Sequence, residues 1–197
     1  MPKFTYSTNK NYNQRASSRY SNESSYYFIH RETTIDILNE LINYAIVATH
    51  YTLDTEDQLQ PRRKLSKGTP IQIQFVCENH PSIIILIETL YLPDESSPIF
   101  EKIKKLCRTV SSNKHRIFAW GDVEQQLLKF YQYNLFNEDG IKQIKPKHIQ
   151  DKFKEWYHEN HSSSLYVRIK ANEPYSLEMA IYLTFNQWFD KRMTLAN

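Results

Sequence analysis

Two carboxylates placed two residues apart carry the strongest chemical signal in this sequence: Asp54 and Glu56, in the run Tyr51-Thr-Leu-Asp-Thr-Glu-Asp57. The run is typical of a strand, in which alternate side chains lie on the same face. Neighbouring carboxylates repel each other unless a cation neutralises them, and their oxygens suit Mg²⁺ or Mn²⁺. An isolated Asp-x-Glu is also common at a solvated strand end, so the surrounding elements decide its meaning.

The composition indicates one globular domain with a polar arm in front of it. The chain has 197 residues, of which 40% are hydrophobic and 24% charged, enough for a substantial core. Residues 1–26 are rich in Ser, Asn and Tyr, which predicts a disordered arm, and residues 27–197 form the domain. The net charge of +3 permits a nucleic-acid partner without arguing for one.

Several features favour an intracellular protein, in the nucleus or the cytoplasm. The N-terminus lacks the apolar core of a secretory signal, and no apolar run is long enough to cross a bilayer. The two cysteines, Cys77 and Cys107, stand in apolar context without metal-ligand spacing, so they are interpreted as reduced core thiols.

The first half of the domain predicts a strand, a helix and a three-stranded meander. Residues 26–30 form the strand, and the helix begins at the capping-box-like pair Thr33 and Asp36. The carboxylate strand follows at about 50–56, then an alternating strand at 71–76 and an apolar strand at 82–88. Their short connections predict antiparallel neighbours.

The second half alternates helix and strand. Residues 97–110 predict an amphipathic helix, and residues 116–120 a buried strand that Gly121 ends. A helix opens at Asp122 and runs through Tyr131, another covers 146–158, and Ser176 caps the last one. The fold class is therefore α/β: a mixed β-sheet flanked by α-helices, in the element order of ribonuclease H-like folds.

Four segments carry a family resemblance when they are taken in order. Asp54 and Glu56 are followed by Ile73-Gln74, by the aliphatic strand 83–87, by the run Arg116-Ile-Phe-Ala-Trp-Gly-Asp-Val-Glu-Gln-Gln-Leu-Leu128, and by Tyr175-Ser-Leu-Glu-Met-Ala180. In this order the chain resembles the DEDD 3′–5′ exonucleases, in particular the ribonuclease D and Werner-type exonuclease domains. The resemblance spans roughly residues 27–192.

The resemblance implies a ribonuclease H-like fold and hydrolysis of phosphodiesters with two Mg²⁺ or Mn²⁺ ions. It implies that Asp54 and Glu56 bind the ions and that the substrate is the 3′ end of a single strand, DNA or RNA. In the closest gap-free register the second-motif carboxylate falls on Glu124, whereas a tighter turn assigns it to Asp122. Asp122 and Glu124 are equally good candidates for this position, because the conformation of the loop cannot be read from the sequence.

The chain departs from the family at its third motif, a Tyr and, after three residues, an Asp on a further helix. The sequence ends at Asn197 before such a helix, and the late acids Glu178 and Asp190 do not follow a tyrosine at that spacing. We therefore expect a truncated or degenerate member with poor activity on its own. The alternative is a non-catalytic nucleic-acid-binding or protein-interaction module with the same fold.

Two basic stretches have two interpretations each, nucleic-acid binding or ordinary solvated surface. Arg62, Arg63, Lys64 and Lys67 follow the carboxylate strand, where they either grip a nucleic-acid backbone or form a solvated loop. The later lysines between residues 142 and 154 alternate with acids, which is typical of a salt-bridged helix face. Trp120, Trp156 and Trp188 are interpreted as core residues.

Overall fold

A mixed sheet forms the centre of the molecule. The computed structural model describes residues 24–57, 68–78, 81–112, 115–161 and 173–187. In this part of the chain six strands pair in the order β1-β4-β3-β2-β5-β6. Their bounds are Ser25–Ile29 (β1), His50–Asp57 (β2), Gly68–Val76 (β3), Ile83–Ile87 (β4), Arg116–Ala119 (β5) and Lys145–His148 (β6).

Helices follow or connect these strands. Their bounds are Ile35–Val47 (α1), Pro98–Val110 (α2), Val123–Leu128 (α3), Glu138–Gln143 (α4), Ile149–Asn160 (α5) and Leu177–Phe185 (α6), with single 3₁₀ turns at Thr89–Tyr91 and Tyr131–Tyr133. Most begin at a side chain that caps the first turn. Ser97 Oγ accepts from the Phe100 amide at 3.1 Å, and Ser176 Oγ accepts from the Met179 amide at 3.2 Å.

The pairing confirms the predicted meander and makes β2 the strand where the sheet changes direction. β2, β3 and β4 are antiparallel neighbours. On its other side β2 pairs with β5 in parallel, and β5 pairs with β6 in parallel. The fold prediction of a mixed sheet flanked by helices is therefore confirmed.

One face of the sheet forms the core, because every second residue of the strands is apolar and buried against α1 and α2. The buried strand residues include Ile29, Ile71, Ile73, Phe75, Ile83, Ile85, Ile87, Tyr51, Leu53 and Ile117. The Tyr51 hydroxyl donates to the Ala45 carbonyl at 2.6 Å, which fixes β2 against the end of α1. Leu38 and Leu41 of α1 join Ile103 and Leu106 of α2 in the same cluster.

The start of α1 differs from the prediction by one residue. Thr34 is the cap, and its Oγ1 accepts from the Ile37 amide at 3.3 Å. Thr33 is buried instead: its Oγ1 accepts from the His30 amide at 3.0 Å and donates to the Phe28 carbonyl. The capping-box reading was wrong because two adjacent threonines offer the same signal and the turn after β1 uses the first.

Three boundaries in the second half were also wrong. α3 ends at Leu128 rather than Tyr131, because a 3₁₀ turn follows and Asn134 then adopts a positive φ of 53°. Residues 145–148 form β6 rather than helix, and α5 begins only at Ile149. The short helix α4 was not predicted at all.

The lysines and tryptophans are distributed differently from the prediction. Lys152 pairs with Glu155 at 2.7 Å on a helix face, as expected, but Lys145 and Lys147 lie on β6. Trp156 was predicted to be core and is 45% exposed. Trp188, the first 23 residues and the basic loop Arg62–Lys67 lie outside the described residues. Among the described helices, none is long and apolar enough to span a membrane.

Candidate functional site

The carboxyl ends of β5 and β6 meet at one edge of the sheet, beside the middle of β2. Leu53 of β2 lies opposite Ala119 of β5, which lies opposite His148 of β6. Asp54 is the next residue of β2, and β5 is followed within three residues by Asp122. The strand register therefore brings the first-motif carboxylate and the second-motif turn to the same edge.

Asp54 is exposed at this edge, and one of its oxygens is already used locally. Its Oδ1 accepts from the Thr55 amide at 2.9 Å. Two residues on, the Glu56 backbone lies opposite Thr69, and the register shift between Thr55 and Glu56 leaves Pro70 as an inserted residue on β3. A proline suits such a bulge because it has no N–H to donate. The Glu56 side chain lies outside what the structure describes.

A tightly held turn leads from β5 into α3 and carries Asp122. Gly121 adopts φ of 102°, which L side chains rarely adopt. Asp122 is the N-cap residue of α3, and its Oδ1 accepts from the Gln125 amide at 3.0 Å. The Gln126 side chain donates to the Trp120 carbonyl at 3.1 Å, and its own Oε1 is buried without a partner in the described part. The Asp122 carboxylate therefore has a structural role whatever else it does.

Glu124, the other second-motif candidate, lies in the first turn of α3 and is exposed. Its charge contributes to raising the pKa of Lys142 on α4, after the larger effects of Glu138 and Asp139. The Glu124 carboxylate is therefore within electrostatic range of α4. Which of Asp122 and Glu124 fills the family position stays a prediction.

The described side chains do not make up the metal site that the resemblance implies. Among the side chains that the structure describes, which do not include Glu56 and Asp57, no three His, Cys, Asp or Glu lie close enough together to hold a metal ion. Asp122 uses one oxygen for capping, and Glu124 lies near a lysine. Because Glu56 is one of the ligands that the resemblance implies, the metal set of Asp54, Glu56 and Asp122 or Glu124 stays a prediction.

The segment before α6 packs onto the same edge of the sheet. The Tyr175 carbonyl accepts from Trp120 Nε1 at 3.0 Å and from Gln150 Nε2 at 2.7 Å. Phe153 lies between these elements, with its ring 5.8 Å from Trp120 and 5.5 Å from Tyr175. The helix capped by Ser176, which resembles the start of the family's third-motif region, is thereby attached next to β5.

Sequence reasoning missed His148 as a supporting residue. Its Nδ1 lies 2.8 Å from the Gly121 carbonyl oxygen, so the imidazole holds the turn in front of Asp122. The sequence signal was weak, because a lone histidine after Lys-Pro-Lys has no motif around it. His50 and Phe118, on the half-buried face of β2 and β5, were also not singled out.

Comparison with solved structures identifies the fold. The chain is similar to the Nibbler EXO domain of Aedes aegypti, with a TM-score of 0.56 and 10% identity over 87% of this chain and 73% of that one. It is also similar to Escherichia coli RNase D, an exoribonuclease involved in structured RNA processing, with a TM-score of 0.52 and 18% identity over 88% of this chain. The match covers only 36% of that ribonuclease D chain.

At these identities the likeness establishes the architecture. The chain has the ribonuclease H-like α/β fold, in the form seen in these exonuclease structures. No protein-family model matches the sequence, and no curated protein matches it in sequence. The activity and the site residues therefore rest on the geometry of this chain.

Proposed function

We propose that this chain is a 3′–5′ exonuclease-like domain that holds the 3′ end of a single strand of nucleic acid at Asp54 of β2. The observation that carries the proposal is the position of Asp54. It is exposed at the point in β2 where the parallel pairing with β5 ends, while β2 continues to Asp57 paired with β3. The chain leaves β2 and β5 towards opposite sides of the sheet, and in open α/β sheets ligands bind at such a reversal of strand order.

The residues at this edge suit a terminal nucleotide. Asp54 keeps an oxygen that is free of the Thr55 contact, so it can accept a hydrogen bond from a sugar hydroxyl. Trp120 and Tyr175 close one side of the edge, and the turn that His148 holds closes another. Arg62, Arg63, Lys64 and Lys67 follow β2 in sequence, and we assign them to the phosphate backbone of the bound strand.

Hydrolysis of the terminal phosphodiester is a second candidate, favoured by the Asp54–Glu56 pair on the central strand. It would use Mg²⁺ or Mn²⁺ to activate water, as two-ion nucleases do. Its metal ligands would be Asp54 and Glu56 together with Asp122 or Glu124. Binding without turnover is the alternative.

The test measures binding and release of nucleotides on the same protein. A single-stranded oligonucleotide labelled at its 5′ end and carrying a free 3′ hydroxyl is incubated with Mg²⁺, with Mn²⁺ and with EDTA, using wild type, Asp54→Ala and the surface control Asp139→Ala. Weaker binding of a free 3′ hydroxyl by Asp54→Ala alone supports 3′-end recognition. Metal-dependent release lost only in Asp54→Ala establishes the nuclease. Equal binding by all three folded proteins would reject the proposed site.

A further inference from the structure

Within the part of the chain that the structure describes, the face of the sheet opposite α1 and α2 is open over most of its width. Two rows of paired residues cross it. One runs from Tyr26 through Ile84, Gln74 and Thr52 to Phe118, and the other from Phe28 through Leu86 and Gln72 to Asp54. None of these side chains is buried, and Tyr26 and Phe28 are 68% and 59% exposed. α5 and Tyr175 reach this face at Trp120.

Positive charge is concentrated at one side of this open face. Arg116 lies opposite Lys145, and Phe118 lies opposite Lys147, so both lysines share the face with Arg116. All three basic side chains are exposed. None of them forms an ion pair within the ranges that the structure describes. Such a strip is complementary to a polyanion.

A cleft opens into the same face beside this strip. It has a volume of about 410 Å³ and is lined by Thr49, His50, Val76, Cys77, Glu78, Arg116 and Phe118. The rings of His50 and Phe118 meet edge to face, with centroids 5.1 Å apart. Thr49 Oγ1 lies 3.0 Å from His50 Nδ1 and donates to the Val76 carbonyl, which fixes the floor of the cleft.

The cleft is within reach of a nucleic-acid strand whose 3′ end lies at Asp54. His50 and Asp54 are the first and fifth residues of the same continuous strand β2. At about 3.3 Å per residue they are about 13 Å apart along it. Thr52 lies between them on the same face and contacts Gln74 Oε1 at 3.3 Å. A short stretch of extended single strand covers that distance across a polar surface.

We propose that this cleft, the Arg116 cleft, binds an upstream nucleotide of a single-stranded nucleic acid, with its phosphate on Arg116 and its base against Phe118 and His50. This proposal rests on the proposed function, which places the 3′ end of the nucleic acid at Asp54. Aromatic rings bind bases of any sequence by stacking, and cations bind the backbone. The exposed carboxylate of Glu78 opposes the phosphate and limits the affinity.

Binding measured in the absence of hydrolysis tests the Arg116 cleft separately from any nuclease activity. Fluorescence anisotropy in EDTA, at one salt concentration, compares a labelled 12-nucleotide oligo(U) with a labelled oligo(dT) of the same length. Arg116→Glu and Phe118→Leu should each weaken binding by about tenfold. Glu78→Gln should strengthen it. The matched control is Arg108→Glu, which reverses an exposed arginine on α2 behind the opposite face and should leave binding unchanged. The two oligonucleotides tell RNA preference from DNA preference.

Oligonucleotide length and end chemistry separate this inference from the proposed function. Wild type should bind a 12-mer more tightly than a dinucleotide, and Arg116→Glu should abolish that gain while leaving the dinucleotide unaffected. If wild type binds a 3′-phosphorylated 12-mer as tightly as a 12-mer with a free 3′ hydroxyl, the proposal of 3′-end recognition is rejected and the cleft proposal is kept. If Arg116→Glu and Arg108→Glu bind the 12-mer alike, the cleft proposal is overturned and 3′-end recognition stands.

Discussion

His148 Nδ1 and the Gly121 carbonyl oxygen lie 2.8 Å apart, and this contact joins the end of β6 to the turn that carries Asp122. A carbonyl oxygen accepts only, so Nδ1 carries the proton in this contact. His148, the residue before α5, thereby holds the backbone that positions the Asp122 carboxylate. Two neighbouring parallel strands are fixed to each other at the edge where we place the 3′ end.

Gly121→Ala tests how much that turn depends on its backbone. A new Cβ would find space, because its nearest neighbour, Gln126 Nε2, is 3.6 Å away. The cost therefore comes from φ of 102°, and we expect a loss of about 1–3 kcal/mol in the free energy of unfolding. Urea denaturation measures it. Asn134→Gly, at a φ of 53° that glycine adopts readily, should change stability little. A loss below about 0.5 kcal/mol for Gly121→Ala would contradict this reading.

Tyr51→Phe tests the attachment of β2 to α1. The Tyr51 hydroxyl is buried, and burial raises its pKa far above the ordinary value. Removing it leaves the Ala45 carbonyl without this donor, at a cost of about 1–3 kcal/mol. Tyr131→Phe, which removes an exposed hydroxyl, is the control. Equal melting temperatures of the two variants would show that the contact stabilises nothing.

Substitutions of Asp122 distinguish capping from ligand binding. Asp122→Asn keeps a cap oxygen, whereas Asp122→Ala removes it and should cost about 1 kcal/mol in stability. If Asp122 only caps α3, Asp122→Asn binds the oligonucleotide like wild type. If it fills the second-motif position, Asp122→Asn loses any metal-dependent nuclease activity while its stability is kept. If Glu124 fills the second-motif position instead, Glu124→Gln loses that activity and Asp122→Asn keeps it. The two variants together therefore decide between the two residues.

The ion pair of Glu138 and Lys142 should show a defined pH response. The Lys142 ammonium, 2.6 Å away, lowers the pKa of the Glu138 carboxyl below 4.5, and Glu138 raises the pKa of Lys142 above 10.5. The carboxyl's contribution to stability is present above its unfolded pKa and is lost as the pH falls through its folded pKa. The ammonium's contribution is present below its unfolded pKa and is lost as the pH rises. Lys142→Met should move the Glu138 titration, followed by carboxyl NMR, back towards 4.5; an unmoved titration would contradict the pairing.

The elements that sequence reasoning placed correctly have local signals of their own. The alternation of Ile71, Ile73 and Phe75 requires a half-buried strand, and Ser97 and Ser176 cap their helices as any serine at that position can. The short connections between strands also predicted the antiparallel meander of β2, β3 and β4. The sequence predicted a strand at Asp54, but it did not predict the order of the six strands.

The elements that were missed depend on tertiary contacts. Lys145-Pro-Lys-His148 has no apolar alternation, and it is a strand only because β5 offers it a parallel partner. Phe118 was read as buried because it lies in an apolar run, yet its face of the sheet is left half-covered. Chain distance hides such a face, because residues 26, 84, 74, 52 and 118 form one row across the sheet only once the strand order is set.

The two cysteines should differ sharply in reactivity, and the difference checks how well the core is sealed. Burial raises the pKa of Cys107 to about 12, and the thiol is fully buried between α2 and the sheet. Burial also raises the pKa of Cys77, but that residue is only half-buried at the margin of the core. Because the thiolate is the reactive form, access decides which cysteine reacts at pH 8.

Ellman's reagent should therefore label one thiol per folded chain and two in urea. Cys77→Ser should reduce these numbers to none and one, whereas Cys107→Ala should leave the folded-state labelling unchanged. Rapid labelling of two thiols in the folded wild type would mean that α2 does not seal the core. Labelling of none would mean that Cys77 is sealed as tightly as Cys107, contrary to its half-buried position at the margin of the core.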